Sequence, residues 1–191
     1  MIIIINHFYL VDGNVILMTG EYDKYGKLCA RVMIGSETLL VDRTPVQLLD
    51  DTLKYIGFEL KGAIKGAKDI IGNKYLCPVI VNPYKDICFF PIKSPKKEDC
   101  IWFNPDHIVK TKARGYKTVV ELSNGLSMIV DLKLHSFNNK MQTAIQLKQI
   151  SNDRGNHPKP ITFFLVPEKR KLLSKAATGK YNFGSLAEYN G

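Results

Sequence analysis

The 191-residue sequence predicts an α+β fold: a β-rich single domain of antiparallel hairpins with a helix pair near 45–72, a C-terminal helix near 136–150 and a loosely attached tail. Three observations predict it. Short apolar runs recur between turn signals such as Asp12-Gly13, Asn82-Pro83-Tyr84 and Ser123-Asn124-Gly125, which is how hairpins read. Apolar spacing changes to three and four in two stretches only, after Thr44-Pro45 and after Ser136. Beyond Ser151, the residues Asn152, Asp153, Gly155, Asn156, Pro158 and Pro160 end regular patterning. The length suits one well-cored domain and leaves little for a second. The domain is therefore placed at 1–150 and a flexible or edge-strand tail at 151–191.

The elements follow in chain order. Met1-Ile2-Ile3-Ile4-Ile5 lacks the basic flank, apolar length and cleavage site of a secretory leader, and reads as a strand. Phe8–Val11, the Asp12-Gly13 turn and Val15–Met18 read as a hairpin, with further turns at Asp23-Lys24-Tyr25-Gly26 and Gly35-Ser36-Glu37. Thr44 caps a helix that Pro45 begins, Val46, Leu49, Leu53 and Ile56 form its stripe, and Gly57 closes it. A second helix from about Phe58 has Leu60, Ile64, Ala67 and Ile71 on one side and Lys61, Lys65 and Lys68 about a quarter turn away. Gly62 and Gly66 each weaken it by about 1 kcal/mol relative to Ala. Strands return at Val79–Val81, Ile87–Phe90, Ile101–Phe103, His107–Val109, Thr118–Leu122 and Ser127–Val130. Ser136 caps a last helix with Phe137, Met141, Ala144 and Ile145 on one face.

Charge narrows the function. The chain carries 27 Lys and Arg against 18 Asp and Glu, a net +9 that favours polyanionic partners. That charge is concentrated: residues 1–40 are net −1, whereas 76–117 and 151–191 are each net +4. No stretch approaches the roughly 18–20 apolar residues of a membrane span, so no membrane partner is expected. Cys29, Cys77, Cys88 and Cys100 are far apart and lie in apolar runs, which suits buried free thiols in a reducing cytoplasm and not a zinc site. Phosphate-loop, dinucleotide, zincin and nucleophile-elbow motifs are all missing from the sequence, so neither an enzyme nor a cofactor is expected. One loose resemblance to a metal-dependent nuclease, Asp50 or Asp51 followed by Glu59-Leu60-Lys61, places its carboxylates on a helix, where that chemistry does not put them.

The binding reading rests on the segment from Lys93 to Lys117. Lys93, Lys96, Lys97, Lys110, Lys112, Arg114 and Lys117 are interleaved there with Trp102, Phe103 and Tyr116. Such cations neutralise phosphates and release counterions, while Asn104 and His107 are the types that read base edges or phosphates. The alternative is a solvated face over ordinary core aromatics. A helix-turn-helix across Gly57 would instead present Lys61, Lys65 and Lys68, whereas a helix pair packed on a sheet would not. A regulatory interaction module without DNA binding is the other class that remains open.

Several ordered runs resemble the competence transcription factor (ComK) family. They are Val41–Asp50, Leu53–Gly57, Pro78–Pro83, Phe89–Ile92, Cys100–Ile108, Val120–Gly125 and His135-Ser136-Phe137, and together they cover roughly residues 38–150. The resemblance implies a bacterial activator of DNA-uptake genes that binds A/T-rich double-stranded promoter DNA, largely through the minor groove, as dimers that assemble further. It fixes no DNA-contacting residue, so the candidates come from charge: the cations of 93–117, Asn104, His107, Lys65 and Lys68. Ile161–Lys169 resembles the family's stretch captured by a proteolytic adaptor, with Phe163, Phe164, Leu165, Pro167 and Lys169 as its candidate contacts. Pro160 and Pro167 alternatively limit the run to an edge strand. Ile101–Phe137 also resembles the strand–Asn-Gly–strand pattern of LytTR-type DNA-binding domains.

Overall fold

The structure, a computed structural model, describes residues 5–156 and 175–180. Ten strands and three α-helices are present among them. The first strands are β1 (Ile5–Asn6), β2 (Val15–Tyr22), β3 (Leu28–Ile34) and β4 (Glu37–Val41); helices α1 (Pro45–Tyr55) and α2 (Leu60–Ile71) follow. Next come β5 (Val79–Asn82), β6 (Ile87–Pro91), β7 (Ile101–Phe103), a 3-10 turn at Pro105–His107, β8 (Ile108–Arg114), β9 (Lys117–Leu122) and β10 (Ser127–Val130). The last element is α3 (Leu134–Asn156). The α+β expectation holds, and the strands divide into two sheets.

The large sheet runs β1-β4-β3-β2-β7-β6-β5 and is antiparallel except at β1–β4; the small one runs β10-β9-β8. Alternation along the strands gives the large sheet two buried faces. Met18 lies opposite Trp102, and both join Ala30, Val32 and Phe89 under Leu48, Leu49 and Leu53 of α1. Leu17 lies opposite Phe103, which faces the other way with Phe90 toward Phe137 of α3. Val120, Leu122 and Val130 of the small sheet join that second cluster. The small sheet and α3 therefore cover one face of the large sheet, and α1 covers the other. Helix α2 serves both clusters, through Leu60, Ala63 and Ile64 on one side and Ala67, Ile70 and Ile71 on the other.

Local chemistry explains most boundaries. Thr44 accepts a hydrogen bond from Gln47 N while the Gln47 side chain accepts one from Thr44 N, a reciprocal cap over Pro45. Asp50 of α1 accepts from Leu60 N and so caps α2, which has no cap of its own. Asn82 Oδ1 accepts from Tyr84 N and Lys85 N and folds the β5–β6 turn. Gly20 is required for packing, because an added Cβ would stand 2.1 Å from Glu98 O in the β6–β7 loop.

Three expectations are corrected. Phe8–Val11 is not a hairpin partner of β2. It runs beside α1, where Val11 N donates to Thr52 Oγ1 at 3.0 Å, and Ile5–Asn6 pairs with β4 instead. The strand begun at Ile108 does not stop at Val109 but continues through five further residues to Arg114. The last helix starts at Leu134 and runs past Ser151 to Asn156, because a helix once formed propagates cheaply through weak formers. Ile2–Ile4 and His157 lie outside the described residues, as does the 161–169 run with Phe163, Phe164, Leu165, Pro167 and Lys169.

Candidate nucleic-acid interface

The two faces of the small sheet differ sharply. On β9, Thr118, Val120 and Leu122 are buried while Lys117, Val119 and Glu121 point outward. Register carries this division to β8: Lys110 lies opposite Glu121, Lys112 opposite Val119 and Arg114 opposite Lys117. It also carries it to β10, where Ser127 pairs with Glu121 and Ile129 with Val119. The period of two thus sets Lys110, Lys112, Arg114 and Lys117 on one outer face. Residues 112–117 are all exposed, so the hairpin tip stands clear of the layer beneath it. Gly115, at φ 61°, makes the turn, in a region that residues with a Cβ avoid.

Carboxylates hold part of this row. Lys112 pairs with Glu121, and its hydrogen bond keeps the Glu121 carboxyl below the usual range. Lys117 lies 2.6 Å from Asp131 and lowers that carboxyl in the same way, with a contribution from Lys93. Lys93 itself pairs with Asp99, whose carboxyl it also lowers. The Lys133 ammonium stands 5.2 Å from the ring centre of Tyr116 at the tip. Lys110 and Arg114 form no ion pair among the described residues, although the Lys110 charge also helps to lower the Glu121 carboxyl opposite it. These surface pairs stabilise little, but they orient the lysine heads along the face.

The 93–117 segment therefore does not form one patch. Lys93 pairs with Asp99 and its charge reaches Asp131 next to the small sheet, whereas exposed Lys96 and Lys97 line a cavity of about 330 Å³ with Thr44, Pro45 and Val46 at the start of α1. The intervening Trp102 and Phe103 are core. Two of the candidates are corrected. Asn104 is 1% exposed; its amide donates to Val15 O and its Oδ1 accepts from Asp106 N, so it joins strands and leaves no edge for a base. His107 has both ring nitrogens occupied, by Ser123 Oγ and Gly13 O, each at 2.7 Å. It ties the small sheet to the turn before β2.

The α2 candidates lie elsewhere. Lys61 and Lys65 are exposed and Lys68 is half-buried, on a helix packed against β5 and α3. The α1–α2 pair is a helix layer on a sheet. The nuclease constellation is dispersed: Asp50 is committed to Lys54 and Leu60 N, and Asp51 to Arg43. No cluster of three or more metal-ligating side chains occurs among the described residues, and no helix there is long and apolar enough to cross a membrane. All four cysteines are buried as free thiols, and burial raises the Cys100 and Cys77 thiols above their usual range.

One cation escaped the sequence reading. Lys148 of α3 is 8% exposed and reaches Asp106 at 2.6 Å and Asp86 at 3.3 Å. Asp86 belongs to the β5–β6 turn and Asp106 to the turn before β8, so one ammonium ties α3 to both sheets. No sequence periodicity marks it. The β8 row, by contrast, was visible as Lys110-x-Lys112-x-Arg114, which is strand spacing.

Comparison with known proteins matches residues 6–156 to the family described as ComK protein. A curated relative, the "Competence transcription factor" of Bacillus subtilis (strain 168), is 27% identical over 166 residues, covering 85% of this chain and 86% of the relative. No solved structure gives a significant match.

Proposed function

The chain belongs to the ComK family, and on that footing we propose that it is a competence transcription activator that binds A/T-rich promoter DNA in the bacterial cytoplasm. The observation that carries the reading is the outer face of the small sheet. Lys110, Lys112, Arg114 and Lys117 stand there on a strand pair whose β9 side buries Thr118, Val120 and Leu122 beneath it, while the tip projects clear. A rigid cationic ribbon of this kind takes phosphate charge with little reordering, and counterion release supplies affinity. The relative's name supplies the transcriptional role.

The protein acts as a dimer or higher assembly in this proposal, and Phe163, Phe164, Leu165, Pro167 and Lys169 of the tail are captured by a proteolytic adaptor. Gel retardation tests the central claim. Duplexes with two spaced A/T tracts should be retarded more strongly than G/C-rich duplexes of equal length at physiological salt. An absence of any DNA complex across salt concentrations would leave the protein as an interaction module, and magnesium-dependent degradation would make it a nuclease. Deletion of 158–191 should leave DNA binding nearly intact and lengthen the protein's lifetime in cells that contain adaptor and protease.

A further inference from the structure

We infer that Arg114 is the residue through which this chain distinguishes A/T-rich from G/C-rich DNA, from its place at the tip of the β8–β9 hairpin; the inference rests on the DNA-binding function proposed above. The first argument is the chemistry of the face. Reading adenine in the major groove calls for an amide that donates and accepts at once. No amide faces outward here. Asn104 is buried, Asn124 donates to Gly35 O at 2.6 Å, and Asn138 accepts from Thr111 Oγ1 at 2.8 Å. Glu121, which could accept from cytosine, is held by Lys112. Ser127, Val119 and Ile129 share the face, but its dominant groups are cations, which respond to potential and groove shape, and those distinguish a narrow A/T minor groove from a wider one.

The second argument selects among the cations. Lys112 and Lys117 form ion pairs and Lys110 lies opposite Glu121, whose carboxyl its charge also lowers, whereas Arg114 has no carboxylate neighbour of either kind among the described residues. Lys110 sits beside the irregularity between Ile108 and Lys110, where the hairpin joins the body. Arg114 ends β8 at the Gly115 turn, amid residues exposed on every side. Four residues of strand separate the two, about 13 Å at the usual rise. A minor groove about 6 Å wide, unless it is opened by bending, is too narrow for a two-stranded ribbon but admits a side chain. The tip residue enters it while the mid-strand cations remain over phosphates. A guanidinium is also less tightly hydrated than an ammonium, so it loses less on entering a narrow groove.

The test compares three duplexes of one length: A·T tracts, the same tracts with inosine·cytosine replacing A·T, and G·C. Inosine·cytosine offers the minor groove of A·T and the major groove of G·C, since inosine lacks guanine's N2 amino group. The wild-type protein should bind the first two alike and the third about tenfold more weakly, the scale of one base pair's discrimination. Arg114→Ala and Arg114→Lys should bring the three duplexes together, whereas Lys110→Ala should weaken all three by one factor. Circular dichroism melts of each variant establish that it is folded. Two results overturn the inference: Arg114 variants that weaken all three duplexes equally, or a wild-type protein that treats inosine·cytosine as G·C. A wild-type protein that binds no duplex defeats the DNA-binding reading itself, and is distinguishable from both.

Discussion

The β8 row and the α2 row each carry three cations, yet they stand on very different supports. Lys110, Lys112 and Arg114 lie in line, roughly 7 Å apart at strand rise, on a strand that buries no residue fully itself but pairs along its length with β9, whose Thr118, Val120 and Leu122 are buried. Lys61, Lys65 and Lys68 wind around a twelve-residue helix that contains Gly62 and Gly66, lacks a side-chain cap of its own and buries only Ala67 fully. Equal charge on a rigid and on a soft support is not equal binding, because a soft support must be ordered when the ligand arrives. What makes a cation row usable is the layer beneath it.

The largest effects should therefore come from that layer. Phe137 is fully buried and meets Phe90 and Phe103 edge-on, with ring centres 5.7 and 5.4 Å away. Phe137→Ala should cost about 3–5 kcal/mol of unfolding free energy, a large share of a domain's usual stability. Chemical denaturation measures it, and a cost under about 1 kcal/mol would mean that the small sheet is not anchored there. Lys148→Ala should cost less, about 1–2 kcal/mol, because Asp86 and Asp106 are about half-exposed and rehydrate when the ammonium is removed. Burial pulls the Lys148 ammonium down, but the Asp106 hydrogen bond and both carboxylate charges more than offset it, so its folded-state pKa lies above 10.5. A raised pKa gives stability that is present below 10.5 and is lost as pH rises through the folded value. The alkaline end of the wild-type stability profile should therefore steepen, and in Lys148→Met that steepening should be blunted.

The supports were only partly legible in the sequence. The α1 cap, the Asn82 turn and the β9–β10 turn were plain because each depends on neighbours within three or four residues. The aromatic cluster of Phe90, Phe103 and Phe137 was not, since it joins three elements that periodicity cannot relate. Asn104 and His107 were misread for the same reason. Their partners Val15 and Gly13 lie about 90 residues away, and a local reading sees only a polar residue beside a strand. β8 was cut short because five charged or small residues resemble a loop until the strand spacing of the cations is considered.

Effects on binding come next in size. Lys110→Ala should lower the slope of log affinity against log salt by about 0.9, the value of one phosphate contact on duplex DNA. Lys96→Ala with Lys97→Ala should lower it less than twice that amount, because both residues stand beside α1 and away from the row. Glu121→Gln should act in the opposite direction, freeing Lys112 and removing a negative charge from the face, so affinity should rise a few-fold at low salt. A fall in affinity would show that Glu121 positions Lys112 more than it competes for it, which would sharpen the contrast between an oriented row and a loose one.

The smallest effect is expected from the α2 row, and it tests the comparison most directly. Changing Lys61, Lys65 and Lys68 together to Ala removes as much charge as the whole β8 row carries. Stability should stay within about 0.5 kcal/mol, since Lys61 and Lys65 are exposed, Lys68 is only half-buried, and Ala is the strongest helix former. Affinity should fall slightly through the lower net charge, equally for A/T-rich and G/C-rich duplexes, while the salt slope barely moves, because diffuse charge releases no bound counterion. A loss of about 0.9 in slope per lysine, with Lys110→Ala leaving the slope intact, would move the interface to the helix. The soft support would then have to stiffen on binding. Amide exchange would report that as new protection across 60–71 in the complex, where the β8 reading expects protection across 108–122 instead.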